Sequence, residues 1–225
     1  VIGWQGGDSV LVTDSRTPPD PGAGNVAWQS EVKPTTGVTG QSVSLASSLA
    51  FAHLNGWNSD PLYFPHAANL TSNVKFTSIS GTPRGWTRFE GADIVITDCE
   101  FVGLGRETIS TSNGWYAVEL MNNCVGRFEG NTVWDAAASN TFIWGIYVHN
   151  CNNGLLVRGN VVHNWDAAGM MVRDSTARID GNLVCKVTRG NGAGRADTGG
   201  GKEGCGFWLY RSTGATIINN IACNC

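Results

Sequence analysis

Residues 145–163 read GIYVHNCNNGLLVRGNVVH, in which two short segments of alternating apolar residues flank a Gly-Asn step. The same template, with Gly-Asn or Asn-Asn at the step, recurs in residues 117–134, 169–185 and 206–223. The marker asparagines of the four units are Asn131, Asn160, Asn182 and Asn220, which are separated by 29, 22 and 38 residues. The chain therefore contains an internal repeat whose smallest unit has 22 residues, and the longer units carry inserted loops.

The length and pattern of this unit predict its local structure. Each unit holds three short runs with alternating apolar positions and lacks the period of an amphipathic helix, which suits a coil of three β-strands joined by turns. Coils of this kind stack directly on one another, and each coil contributes one strand to each sheet. The sequence therefore predicts an all-β fold, namely a right-handed single-stranded parallel β-helix.

The repeat also resembles a known family. Its units follow the pattern G-I-x-V-x-N, then an apolar strand, then N-N-x-I, as in the pectate-lyase-like β-helix superfamily. The resemblance extends over roughly residues 86–225, and it is specific for the fold rather than for an activity. It implies a parallel β-helix, with polysaccharides as the substrate class.

The N-terminal part of the chain lacks the repeat. Residues 1–40 hold four of the seven prolines and show no sustained period, so we expect an irregular leader or linking region. Apolar residues then recur at helical spacing, which predicts a short capping helix over about residues 42–54. Together with PLYFPHA (61–67), this helix resembles the entry into phage tailspike β-helices, where a helix covers the first coil and removes an open sheet edge. The β-helix domain is expected to span residues 41–225, with coils from about residue 60 onward.

Composition narrows the class of partner. A net charge of −3 and only 15% charged residues argue against a nucleic-acid binder and favour a neutral or polar partner. No apolar run approaches the roughly 20 residues needed to cross a bilayer, so no membrane insertion is expected. Because the chain begins at Val1 rather than Met and stops at Cys225 within a coil, we expect a processed product or a piece of a larger protein, with an incomplete C-terminal end.

The cysteines predict no cofactor site. Seven cysteines are spread along the chain without a pair of CxxC motifs, so their spacing indicates neither a disulfide framework nor a zinc ribbon. Cys185 and Cys223 each follow a marker asparagine by three residues, and they are expected to stack as small apolar groups. No metal site and no cofactor are predicted, and the sequence leaves calcium dependence open.

Alternation along the strands assigns side chains to the two sides of each sheet. Four apolar columns are expected to point inward: Val118, Ile146, Met170 and Phe207; Leu120, Val148, Val172 and Leu209; Phe128, Val157, Ile179 and Ile217; Val133, Val162, Val184 and Ala222. The marker asparagines are expected to share amide hydrogen bonds from coil to coil while occupying the left-handed backbone of a turn. Glu129, Arg158 and Asp180 are expected to form an outward charge ladder on the second sheet.

The outward side of the first strand is the predicted site. Its two columns are Glu119, Tyr147, Met171 and Trp208, and Met121, His149, Arg173 and Tyr210. Tyr and Trp rings pack on the apolar faces of sugar rings, while His, Arg and Glu bind hydroxyl groups, so a polysaccharide is the predicted partner. An ordinary exposed sheet with aromatic packing between strands is the alternative. The insertion of residues 188–204 is expected to overhang this face, and it adds Arg195, Asp197, Lys202 and Glu203 to Trp208 as substrate-binding residues.

Two reactions fit these residues. In β-elimination from a uronic-acid polymer, as in many members of the superfamily, Arg173 would neutralise the carboxylate, and His149 would remove the adjacent proton. Tyr147 or Tyr210 would then protonate the leaving oxygen. Hydrolysis would instead require two carboxyl groups about 5 to 9.5 Å apart. The available acids are Glu119, Asp174, Asp197 and Glu203.

Three functions therefore stay open. The first is a tailspike-type homotrimer at a virion surface that recognises, and in one version cleaves, a bacterial surface polysaccharide. The second is a secreted, extracellular lyase that acts as a monomer on uronate polymers. The third is a noncatalytic adhesin or structural fibre. All three share one scaffold, so the side chains of the site distinguish them.

Overall fold

The computed structural model describes residues 3–13, 30–51, 53, 65–78, 84–105, 116–135, 144–188, 204–223 and 225. Within these ranges the chain forms β-strands and no helix, and the same ranges contain no helix long and apolar enough to cross a membrane. The chain divides into two compact units, Val1–Thr71 and Ser72–Cys223, with Cys225 in the second. This boundary lies about thirty residues beyond the one expected from the sequence at residue 40.

The first unit contains a four-stranded antiparallel sheet in the order β3-β2-β1-β4. Its strands are β1 (Ser9–Val12), β2 (Glu31–Thr39), β3 (Ser42–Leu45) and β4 (Ala67–Asn69). Residues 1–40, expected to be irregular, thus contain β1 and β2, which pair with each other. The strands β2 and β3 form a hairpin whose turn includes Gly40 at a φ of 62°, a conformation that glycine adopts without strain.

The predicted capping helix over residues 42–54 is wrong for the residues that the structure describes. Ser42–Leu45 reads SVSL, and this alternation forms the edge strand β3. The amides of Ala50 and Phe51 donate to the carboxylate of Glu31, at 2.9 and 3.0 Å, rather than to helical carbonyl groups. A distant carboxylate therefore takes the hydrogen bonds that a helix would have used.

The second unit consists of three parallel sheets. Sheet 1 contains β6 (Thr87–Glu90), β9 (Tyr116–Met121), β12 (Trp144–His149), β15 (Ala168–Arg173) and β18 (Cys205–Tyr210). Sheet 2 contains β7 (Asp93–Thr97), β10 (Val125–Glu129), β13 (Leu156–Arg158), β16 (Arg178–Asp180) and β19 (Thr216–Ile218). Sheet 3 contains β5 (Val74–Thr77), β8 (Cys99–Val102), β11 (Thr132–Trp134), β14 (Val161–Asp166), β17 (Leu183–Thr188) and β20 (Ile221–Cys223). Successive strands visit sheets 1, 2 and 3 in turn, which confirms the predicted single-stranded parallel β-helix.

The four predicted inward columns are confirmed by the strand register. Ile146 pairs with Val118 and Met170, and Val162 pairs with Val133 and Val184. The members on the middle coils are fully buried and form one core cluster. On β18 and β20, Leu209 and Ala222 keep the register but are exposed, since no described strand covers the far side of these two strands.

Residues in the left-handed conformation recur at matching positions of successive coils. The corner after sheet 1 uses Gly91, Asn122, Asn150, Asp174 and Arg211. The corner after sheet 2 uses Asp98, Gly130, Gly159, Gly181 and Asn219. In sheet 3, Gly103 and Asp135 follow β8 and β11, and Asn164 and Lys186 adopt the same conformation at the matching position within β14 and β17. Most of these are Gly, Asn or Asp, the residues that tolerate this conformation best.

The marker asparagines form a buried ladder beside the second of these corners. The backbone N–H and the Nδ2 of Asn160 both donate to Oδ1 of Asn182, each at 2.9 Å. Asn131 donates to Asn160 in the same way, and Asn182 donates to Asn220. The predicted sharing of amide hydrogen bonds is confirmed, but the left-handed residue is the one that precedes each marker. The ladder extends to the earlier coil through the N–H of Cys99, which donates to Oδ1 of Asn131 at 2.9 Å.

The predicted charge ladder lies on the outward side of sheet 2. Arg158 is the register partner of both Glu129 and Asp180. Its Nε donates to Glu129 at 2.8 Å, and its second guanidinium nitrogen makes an ion pair with the same carboxylate. The Arg158 side chain is half exposed, whereas Glu129 and Asp180 are partly buried, so the ladder lies at the solvent boundary and has a modest effect on stability.

Candidate functional site

The predicted site residues share one face, the outward side of sheet 1. Tyr147 pairs with Glu119 and Met171, while His149 pairs with Met121 and Arg173. Trp208 and Tyr210 continue the two columns on β18. The predicted juxtaposition of these residues is therefore confirmed by the register.

The exposure of the side chains on this face increases from a buried side to an open end. Glu119 and Tyr147 are only 2% and 3% exposed, so their side of the face is covered rather than open as an ordinary exposed sheet would be. The side chains of His149, Asp174 and Arg173 are 20%, 32% and 39% exposed. A ligand from solvent would meet these three side chains first, because they lie at the accessible end of the face.

Aromatic rings form the floor of this face. Tyr147 stacks on Tyr116 with ring centroids 4.3 Å apart, and on His149 with centroids 5.2 Å apart. Trp144 contacts Tyr147 and, edge to face, Trp208, in each case at 5.6 Å. Rings in stacked and edge-to-face arrangements hold one another in place. Trp208 is half-buried at the border of this cluster and keeps part of its ring accessible.

Asp174 joins the two groups expected to carry the chemistry. Its Oδ2 lies 3.2 Å from Nε of Arg173 and 3.8 Å from Nε2 of His149. Asp174 is itself the left-handed corner residue after β15, with a φ of 47°, which turns its carboxylate back toward the sheet that it follows. Burial lowers the pKa of His149, the Arg173 charge lowers it further, and Asp174 partly offsets both effects. The imidazole is therefore neutral at pH 7 and can accept a proton.

Arg173 is held from two further sides. Burial raises the pKa of the Tyr147 hydroxyl, although the positive charge of Arg173 and a hydrogen bond from its guanidinium act in the opposite direction. The same guanidinium lies 5.4 Å from the centre of the Tyr210 ring, and that of Arg211 lies 5.0 Å from it. Two cations therefore surround one half-buried aromatic ring, which makes this end of the face positive.

Glu119 lies at the covered end and pairs with a residue that the sequence analysis did not include. Its Oε2 is 3.6 Å from Nε of Arg88, which also makes an ion pair with Glu90 at 3.1 Å. Burial raises the pKa of Glu119, Arg88 opposes that rise, and Glu90 adds to it. Within the described chain this carboxyl oxygen accepts no hydrogen bond. A buried acid with a raised pKa is a candidate proton donor, but its cover separates it from the open end of the face.

The sequence pattern did not predict several residues of this face. Arg88 and Glu90 begin the two columns on β6, where they pair with Glu119 and Met121. The alternation in TRFE, the sequence of β6, was the available signal. Tyr116 and Trp144 precede the repeat template, so no repeated pattern pointed to them.

Four predicted substrate-binding residues lie outside the described residues: Arg195, Asp197, Lys202 and Glu203. Their role as an overhanging loop stays a prediction. In the part of the chain that the structure describes, no group of three or more His, Cys, Asp or Glu side chains could hold a metal ion. The site is therefore built from aromatic, cationic and carboxylate side chains of sheet 1.

Comparisons with known proteins agree with this architecture. Residues 50–222 match the family model described as "Right handed beta helix region". Comparison with curated proteins finds no match, and comparison with solved structures finds none. Since the family model covers most of the chain, the protein belongs to the right-handed β-helix family.

Proposed function

We propose that the protein recognises a polysaccharide on the outward face of sheet 1, and that the ligand is a bacterial surface glycan bound in the manner of a phage tailspike. The observation that carries this proposal is the grading of the face. A covered layer of stacked rings supports an open end that carries His149, Arg173 and Asp174. A rigid floor of this kind presents polar groups in fixed positions, which lowers the entropic cost of binding.

The chemistry of the open end suits a sugar. Trp208 and Tyr210 are half-buried, and the solvent-exposed part of an aromatic ring packs on the apolar face of a pyranose. Arg173 and Asp174 provide donors and acceptors for hydroxyl groups at the same end. Adjacent strands lie about 4.8 Å apart, so the open end on β12, β15 and β18 extends for about 10 Å, which has room for a short stretch of sugar rings.

Binding to a glycan array tests the proposal. We expect the wild-type protein to bind a restricted set of bacterial polysaccharides, and we expect Trp208→Ala and Arg173→Met each to weaken that binding at least tenfold. Arg178→Met is the matched control, because Arg178 is an exposed arginine on sheet 2. Circular dichroism verifies that each variant is folded. Binding that is absent, or that persists in both sheet 1 variants, would show that this face is not the site and would favour a noncatalytic fibre.

Cleavage by β-elimination is a second candidate, and one observation favours it. His149 is neutral at pH 7 for the reasons given above, and it lies beside Arg173 through the shared carboxylate of Asp174. In β-elimination the guanidinium neutralises the carboxylate of the substrate, and the neutral base abstracts the proton next to that carboxylate. Tyr210 is the more accessible of the two proposed proton donors, since Tyr147 is buried and its hydroxyl is bonded to Arg173.

Digestion of uronate polymers tests this second candidate. Elimination creates an unsaturated product that absorbs in the ultraviolet, and we expect His149→Gln to abolish the product while the variant still binds the polymer. Activity should fall at acid pH, because protonation of His149 removes the base. A wild-type protein that binds acidic glycans but releases no absorbing product is a recognition protein rather than a lyase.

The oligomeric state distinguishes a phage tailspike from a secreted lyase. A tailspike at a virion surface is expected to be a homotrimer, whereas a secreted extracellular lyase is expected to be a monomer. Light scattering on the purified protein measures this mass directly. The result decides between the settings without affecting the assignment of the binding face.

A further inference from the structure

Four of the seven cysteines gather around β17, β18 and β20. The thiol of Cys185 interacts with those of Cys223 and Cys225, and the thiol of Cys225 also interacts with that of Cys205. These residues belong to different coils, so their proximity is created by stacking. None of them lies on the outward face of sheet 1 that carries the proposed glycan site, apart from Cys205 at the start of β18.

Cys185 and Cys223 are the best-aligned pair of this group. They are direct register partners on the adjacent parallel strands β17 and β20. Neighbouring strands lie about 4.8 Å apart, and disulfides join Cα atoms that are about 4.4 to 6.8 Å apart. The strand spacing therefore lies within the Cα range of a disulfide without any change of register.

The two thiols also contact each other. A hydrogen bond between them and burial of Cys185 both raise the pKa of the Cys185 thiol. Cys223 is half-buried and so can be reached from solvent, whereas Cys185 is buried. Cys225 lies beyond the end of β20 and is not part of this register, and burial raises the pKa of its thiol to about 12.

We propose that Cys185 and Cys223 are a redox pair that forms a disulfide between adjacent coils, with a small-molecule disulfide such as oxidised glutathione as the oxidant. The thiolate of Cys223 attacks one sulfur of the oxidant, whose S–S bond breaks and releases one glutathione thiolate, which takes up a proton. The sulfur of Cys185 then loses its proton to solvent and attacks Cys223, which releases the second glutathione. The two protein thiols thus lose two electrons and two protons, and one oxidised glutathione becomes two thiols.

The bond would fasten the last described coil to the coil before it. The last described coil is poorly covered, because Leu209 and Ile221 are exposed on it. Local opening starts where few buried contacts hold an element. A link between β17 and β20 acts against that opening, and reduced glutathione would reverse it.

The chain contains its own matched control. Cys124 and Cys151 also interact through their thiols on adjacent coils, but both residues are fully buried. Burial raises the pKa of the Cys151 thiol to about 11. If access selects the reactive pair, Cys124 and Cys151 stay reduced under conditions in which Cys185 and Cys223 are oxidised.

Peptide mapping tests the proposal on the whole chain. The protein is equilibrated in glutathione buffers from reducing to oxidising, free thiols are alkylated, and the chain is cleaved with trypsin without reduction. Cleavage after Arg178, Lys186 and Arg211 separates Cys185 in peptide 179–186 from Cys223 in peptide 212–225. We expect these two peptides to become cross-linked in oxidising buffer and to separate in reducing buffer.

Two variants distinguish the partners, because peptide 212–225 also holds Cys225. We expect Cys225→Ser to keep the cross-link and Cys223→Ser to lose it, with the fold of each verified by circular dichroism. The melting temperature of the wild-type protein should rise on oxidation, and that of Cys223→Ser should not. A cross-link that persists in Cys223→Ser, a bond confined to Cys223 and Cys225, or full alkylation of both peptides in oxidising buffer would overturn the proposal. None of these outcomes depends on glycan binding.

Discussion

At the scale of the residue, the asparagine ladder shows how a polar side chain becomes part of a core. Asn131, Asn160 and Asn182 are fully buried, and each uses both its amide group and its backbone N–H between coils. Asn160 also donates from Nδ2 to the carbonyl of Phe128 at 3.0 Å. The sequence predicted this ladder because the marker recurs in every unit. The left-handed residue was misplaced by one position, since both residues of a Gly-Asn step favour turns.

We expect Asn160→Ala to lower the free energy of unfolding by about 2 to 4 kcal/mol. The substitution removes the acceptor of the Asn131 backbone N–H and one of the two acceptors of its Nδ2, which keeps the carbonyl of Ile96, and it removes the Asn160 donor from the carbonyl of Phe128 in a buried site. Urea unfolding followed by fluorescence measures the change. The exposed Asn152→Ala on the same coil is the control and should stay within about 0.5 kcal/mol of the wild type. Equal effects of the two substitutions would contradict the structural role of the ladder.

A second expectation at the scale of the residue concerns His163 and the dependence of stability on pH. It is buried on β14, burial and the charge of Lys186 lower its pKa to about 3, and neither ring nitrogen has a hydrogen-bond partner in the described chain. The unfolded chain takes up a proton near the ordinary pKa of 6.5, and the folded chain does not. Stability should therefore fall as the pH drops from 6.5 toward 3, by about 1.4 kcal/mol per pH unit from this residue.

The variant His163→Phe isolates this contribution. Its unfolding free energy should differ from that of the wild type by a constant amount between pH 7 and 9, and it should lack the acid slope contributed by His163. Urea unfolding at a series of pH values measures both curves. Parallel curves from pH 7 down to 4 would show that His163 is not buried in its neutral form.

At the scale of the element, a column of glycines lets two sheets approach closely. Gly145, Gly169 and Gly206 occupy matching positions on β12, β15 and β18. A Cβ built on Gly169 would lie 2.2 Å from a methyl group of Val184 on β17 and 3.0 Å from the carbonyl oxygen of Gly206. Sheet 1 therefore meets sheet 3 at a distance that only glycine permits. Repetition of the glycine was visible in the sequence, but its reason required the contact with Val184.

We expect Gly169→Ala to lower the free energy of unfolding by about 1 to 3 kcal/mol, because the added methyl group forces the sheets apart. Thermal and urea unfolding measure the loss. The control is Gly85→Ala, whose Cβ would meet only the Ser78 hydroxyl at 3.7 Å, and which should be neutral or slightly stabilising. Addition of Val184→Ala should recover part of the loss. A Gly169→Ala variant as stable as the wild type would show that the two sheets have room to adjust.

At the scale of the whole molecule, the β-helix is held together mainly by contacts between coils. The core columns, the asparagine ladder and the backbone hydrogen bonds at the corners all run along the stack. Protection should therefore depend on how many coils cover a residue. Residues on the middle coils have a coil on each side, whereas β18, β19 and β20 have a described neighbour on one side only.

Hydrogen exchange measures this gradient. We expect backbone amides on β12 and β14 to exchange only through global unfolding. Amides on β18 and β20 should exchange through local opening, at rates at least a hundredfold higher under reducing conditions. The middle coils provide the internal reference. Uniform protection across all five coils would show that the stack opens as a single cooperative unit.

The β-helix, its registers, its inward columns and its polar ladder follow from the sequence, because a repeated period of two places equivalent side chains on top of one another without further information. The stacking of Cys185 and Cys223 follows from the same repeat and is confirmed by their register. Two other features required the folded chain. The amides of residues 50 and 51 bond to Glu31 instead of forming a helix, and Glu119 and Tyr147 are covered although they point outward. Each of these features depends on a contact between segments that are distant in the sequence. Alternation along one strand predicts only the side of the sheet that a residue faces, and it does not predict which other segment contacts or covers that residue.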